Sequence, residues 1–186
     1  ALPISLTMGQ SLVYRSDSYP HPIVTLETSL LSTSSVPTSI DAQLTFGGIS
    51  GSTVSYNTTG LSAGDPLRFA LQVDASSLST GMYDYTLTLT AWISGNSYSR
   101  SYTGSQAVVN RTSSEYGGGW WLDGLDRIVA SSAGGLLVQG NGDTLWYASD
   151  GAGGYLKAAG DESYATLVKN GKDRKSTRLN SSHVAL

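Results

Sequence analysis

Between Tyr83 and Ile93 the chain reads YDYTLTLTAWI, and no other stretch restricts the fold as strongly. Tyr83, Tyr85, Leu87, Leu89 and Ala91 alternate with Asp84, Thr86, Thr88 and Thr90, so an extended strand has one apolar and one wet face. A one-residue slip would exchange the faces, and the register is therefore well specified. Further runs rich in β-branched and aromatic residues are separated by Gly, Ser, Asn and Pro: SLTMGQSLVYR, PIVTLETSL, SIDAQLTF, STVSYNT, PLRFALQVD and YSRSYTGSQAVV. Strands at this spacing predict an all-β protein whose residues 5–110 form an antiparallel sandwich. ISGNSY supplies a hairpin turn, placed on Gly95–Asn96.

From Ser113 the texture changes to short hairpins. GGLLVQGNGDTLWYAS reads as a strand over 136–139, a turn over 140–143 and a strand over 144–148, with further turns at Asp150–Gly151 and Gly160–Asp161. No helix longer than three turns is expected. The polar, glycine-rich residues 111–119 read as a linker, and 120–172 as a β-hairpin segment. At their junction Gly117, Gly118 and Gly119 precede Trp120 and Trp121, with Asp123 and Asp126 next along the chain. One reading is a structural joint, in which the glycines let the backbone turn sharply and an indole anchors the hairpin segment. The other is a sugar-binding surface, with stacking on Trp120 and hydrogen bonds to Asp123. On a strand the two tryptophans point to opposite faces, so only one of them lines a ligand face.

Composition narrows the chemistry. The absence of cysteine excludes disulfides, thiolate metal sites and a cysteine nucleophile. A net charge of -3 argues against a nucleic-acid partner. His21 lies between two prolines and reads as a turn residue, and no nucleophile–base spacing, zinc motif or phosphate loop accompanies it. Asp123 and Asp126 are the one carboxylate pair considered for hydrolysis, and the chain is expected not to be an enzyme. Asn141, Asp143 and Asp150 offer oxygens to a hard cation but match no EF-hand spacing, so they read as turn residues; no metal or cofactor is expected. The Asn57 and Asn110 acceptor triplets likewise read as turns. No apolar run is long enough to span a bilayer, and the N-terminal residues do not form an intact signal peptide.

LSTGMYDYTLTL resembles the approach to the sixth strand of immunoglobulin-like and fibronectin-type domains. There, a Gly-x-Tyr step forms a tyrosine corner whose hydroxyl bonds backbone a few residues upstream, a structural role that falls to Tyr83. Tyr85 stands where antibody domains carry cysteine, so the resemblance is to the disulfide-free relatives. EYGGGWWLDGLDRIV, GGLLVQGNGDTLWY and GGYLKAAGD, in that order, resemble the lead-in of bacterial RHS/YD-repeat proteins, in which an Ig-like module precedes a Gly-Trp step and Gly-Asp-Gly-type hairpins. QSLVYRSDSYPHPIV and NTTGLSAGDPLRFALQVDASSLSTGMYDYT resemble the preceding module. The family's Tyr-Asp repeat with its downstream Gly-Arg is absent.

The resemblance implies a structural or spacer fragment of a large secreted or cell-surface protein, in the class of polymorphic toxins and adhesins. Its first partner would be the rest of its own longer chain; a carbohydrate-binding or adhesion β-sandwich module, meeting a cell-surface glycan or protein through the sandwich face or the Trp120/Asp123 region, is the alternative. DRKSTRLNSSH at 173–183 resembles a translated sequencing adapter and ALPI at 1–4 the end of its partner. On that resemblance residues 1–4 and 173–186 are expected to be foreign to an environmental sequence fragment, and the tail to add no element.

Overall fold

The computed structural model describes residues 12–14, 20–30, 35–156, 166–168 and 178–180. Among them every regular element is a strand, and every pairing is antiparallel. The chain divides into two compact units, Tyr19–Asn110 and a second that starts at Arg111 and takes in the early strand β1 (Leu12–Tyr14).

The first unit is a β-sandwich. One sheet pairs β2 (Ile23–Ser29) with β6 (Pro66–Gln72); the other contains β3 (Ser39–Phe46), β4 (Ile49–Ser50), β5 (Val54–Asn57), β7 (Gly81–Ile93) and β8 (Asn96–Val108). In the larger sheet β3 and β8 flank β7, while β4 and β5 both pair with the far side of β3. Period-two alternation explains the packing. Ile40, Ala42, Leu44 and Phe46 of β3 and Leu87 and Leu89 of β7 are buried against Val24, Phe69 and Leu71 of the facing sheet. Burying each large side chain stabilises the fold by roughly 1.5–3 kcal/mol. The opposite face carries hydroxyls: Thr88 bonds Ser101 and Thr90 bonds Ser99 across β7 and β8.

The second unit holds β1 against β9 (Trp120–Leu122), then a sheet of β10 (Arg127–Ala130), β11 (Gly134–Val138) and β12 (Thr144–Ala148). β13 (Thr166–Val168) pairs with β14 (Arg178–Asn180). Leu137, Tyr147 and Leu167 form a small core, with Ile128, Leu145 and Tyr155 packed on it.

Three placements differ from the sequence reading. Leu12–Tyr14, expected in the sandwich, pairs with Trp120–Leu122 instead, because alternation marks a strand without naming its partner. The hairpin between β7 and β8 turns on Ser94 and Gly95, with φ of 50° and 81°, and Ile93 pairs with Asn96. A two-residue turn of this hand needs positive φ at both central positions, which sets it one residue earlier than expected. Arg178–Asn180 forms a strand in the tail, where the lack of apolar periodicity predicts none. The expected Gly160–Asp161 turn and residues 1–4 lie outside the described residues.

Candidate functional site

The Gly117–Trp121 segment is a tight turn into a strand. Gly117 and Gly119 hold φ of 103° and 84°, backbone that side-chain-bearing residues rarely adopt, while Gly118 needs no such freedom. Gly119 N–H donates to Arg111 O at 3.0 Å, Trp120 N–H to Gly117 O at 2.9 Å, and Ser114 Oγ to Trp120 O at 2.6 Å. These bonds deliver the two tryptophans to β9 with opposite orientations.

Trp121 is the half-buried ring. Its Nε1 donates to Leu125 O at 2.7 Å, and Tyr116 meets it edge-on with centroids 5.5 Å apart. The guanidinium carbons of Arg111 and Arg127 lie 5.4 and 5.0 Å from its centroid. Arg111, only 2% exposed, also donates from Nη2 to Gln139 O at 3.0 Å. Burial moves the Arg127 guanidinium below its ordinary pKa range. One indole therefore gathers the approach segment, β9 and β10, and Arg111 links this hub to Gln139 before β12. Trp120 is 40% exposed and meets Tyr14 across the β1–β9 pair, with centroids 5.3 Å apart.

The remaining sequence candidates are mostly engaged in local backbone. Asp126 accepts from Gly140 N–H at 2.9 Å, and Asp150 accepts from Ala152 and Gly154 N–H at 2.7 and 2.8 Å. Asn141 and Asp143 bond each other at 2.8 and 2.9 Å within their turn. Asp123 is exposed in the turn after β9. Asn57 accepts from Thr59, and Asn110 Nδ2 donates to Ser76 O and Leu78 O. His21 lies 3.7 Å from Asp74, whose carboxyl is held below the usual range chiefly by its hydrogen bond to the Ser76 side chain. Among the described residues no cluster of three metal-ligating side chains occurs, and no helix is long and apolar enough to cross a membrane. Tyr83 OH donates to Ser79 O at 2.9 Å.

A second feature was not singled out in the sequence. Within the sandwich an open groove of about 590 Å³ runs between the end of β2 and the β7–β8 hairpin. Its walls include Leu67, Leu89, Ala91 and Ile93, with Thr28, Ser29 and Ser35 on one side and Tyr98, Arg100 and Tyr102 on the other. The signal that would have found it is the alternation SYSRSY, which puts Tyr98, Arg100 and Tyr102 on one face of a strand. No protein-family model matches the chain, and a search of curated proteins found no match.

Proposed function

We propose that this chain is a non-enzymatic structural part of a large secreted or cell-surface protein, an Ig-like spacer followed by the first hairpins of an RHS/YD-type shell. The observation that carries the reading is Trp121. The glycine-tryptophan step that resembles the start of the shell is the place where one indole collects Arg111, Tyr116 and Arg127 and bonds Leu125. The Tyr83 hydroxyl bonding Ser79 O, four residues upstream, supports the Ig-like part of this reading. Asp126, Asn141, Asp143 and Asp150 spend their oxygens on turns, which favours a structural role over hydrolysis or cation binding. The rest of the longer chain is the primary partner.

Sequencing the gene beyond both ends tests this reading. Tyr-Asp repeats with downstream Gly-Arg are expected after the hairpins; a frame continuing into an unrelated domain without them overturns the assignment. A second reading, carbohydrate binding or adhesion at Trp120 and Asp123, is supported by the exposed Tyr14–Trp120 pair. A glycan array probed with the protein and with Trp120→Ala tests it, and binding that survives the substitution removes it.

A further inference from the structure

We propose that the groove of the sandwich is a binding site for a carboxylated oligosaccharide, with Arg100 taking the carboxylate and Tyr98 and Tyr102 stacking on sugar rings. The site belongs wholly to the first unit and does not rest on the spacer reading or on Trp120. On β8, Tyr98, Arg100 and Tyr102 pair with Ala91, Leu89 and Leu87 of β7 and so share the face that carries the core. Among the described residues the facing sheet has only two strands, and this end of β8 extends into the open: Tyr98 is 61% exposed and Arg100 is exposed.

A cation on the core-facing side of a strand calls for an explanation, since arginine is rarely placed there without a partner. Arg100 lies over the Tyr102 ring at 5.2 Å, and among the described residues no carboxylate pairs with it. The ring holds the guanidinium in place, so its planar fork is available to an incoming carboxylate with little ordering cost. The groove volume falls within the roughly 300–1,000 Å³ of small-ligand sites. Apolar residues on its floor, two tyrosines beside the cation and hydroxyls opposite suit a rigid, polyhydroxylated ring bearing one negative charge. An acidic peptide would pair along the open edge of β8, whereas Tyr98, Arg100 and Tyr102 line the groove with their side chains and not that edge. An inward arginine also blunts an exposed edge strand, and that role needs no ligand.

Titration calorimetry and amide chemical-shift mapping on the full chain separate these cases, using a galacturonate trimer, its methyl ester and a glutamate-rich peptide. Saturable binding of the trimer is expected, with shifts at Tyr98–Tyr102 and Thr28–Ser29. The neutral ester and Arg100→Gln should each weaken it about tenfold or more, the worth of a charge-assisted hydrogen bond. Arg100→Lys should restore part of the affinity, and Tyr98→Ala should lower it with the fold intact. Absence of trimer binding overturns the proposal. So does equal binding of the ester, retention of affinity by a folded Arg100→Gln protein, or loss on Trp120→Ala instead. Preferential binding of the peptide along β8 would assign the groove to a protein partner. If Arg100→Gln self-associates while still binding the trimer, Arg100 is an edge guard and the proposal fails.

Discussion

The two units share antiparallel strands but are held by different chemistry. In the sandwich, β7 and β8 pair over thirteen residues each, and a continuous apolar core runs from Val24 to Val108. Among the described residues the hairpin unit has a smaller core, the cluster of Leu137, Tyr147 and Leu167 with Leu136 and Val138 also buried, beside a polar hub in which two arginines flank one tryptophan. Area burial adds up over many residues and tolerates the loss of one; a small core beside a hub depends on its central ring. The sandwich should therefore be robust to single substitutions that would open the hairpins.

Replacing Trp121 with alanine is the largest test of that contrast. A cost of about 3–5 kcal/mol is expected, as for large aromatic truncations. In hydrogen exchange Gly134–Ala148 should lose protection while Gly81–Ile93 keeps it. Trp120→Ala should leave both regions protected. Equal loss in the two regions would mean that they unfold as one, and the comparison would fall.

Next comes Gly104→Ala within the sandwich. A Cβ at Gly104 would sit 2.5 Å from the Tyr85 hydroxyl oxygen, and the Tyr85 ring is stacked near-parallel on Phe46 with centroids 6.4 Å apart. Forcing that ring away should cost about 1–3 kcal/mol by denaturant titration, as overpacking does. The sandwich should stay folded; a protein that fails to fold would show that its core is less forgiving than its size implies.

Tyr83→Phe removes the hydroxyl that bonds Ser79 O and should cost about 0.5–1.5 kcal/mol, the usual net value of one hydrogen bond. An unchanged midpoint would show that the corner is geometry without energy. The smallest effect belongs to Asp41 on the outer face. Hydrogen bonds from the Ser55 hydroxyl and then from Trp92 Nε1 hold its carboxyl below the usual range. A carboxyl with a depressed folded pKa contributes stability above its unfolded pKa and loses it as pH falls through the folded value. The wild type should therefore lose slightly more stability than Asp41→Asn on acidification below about pH 4. Parallel acid limbs in the two proteins would show that Asp41 contributes nothing to the pH dependence.

How far the chain could be read depended on whether the information was local. SIDAQLTF coincides with β3, and YDYTLTLTAWI lies within β7, because alternation is written into consecutive residues. In the next hairpin the expected strand over 144–148 coincides with β12, while the one expected over 136–139 runs over Gly134–Val138. Position within a turn was less legible: Ser94 takes a left-handed conformation that its side chain does not advertise, which moved the β7–β8 hairpin by one residue. Alternation also placed the tryptophans on opposite faces without saying which was buried. That Arg111 and Arg127 converge on Trp121 was not legible, since they reach it from separate segments.

Residue order alone settles the strand class, the inward and outward faces of β3 and β7, and the exclusion of thiol chemistry, since each derives from neighbours or from composition. Pairing partners are another matter. Leu12–Tyr14 joins Trp120–Leu122 across more than a hundred residues of chain, through backbone groups that every residue carries, so nothing in its side chains announced the choice. The groove arises in the same way. SYSRSY places two rings and a cation on one face, but whether that face is covered depends on how many strands the opposite sheet brings, and only the assembled sandwich leaves Tyr98 and Arg100 in the open.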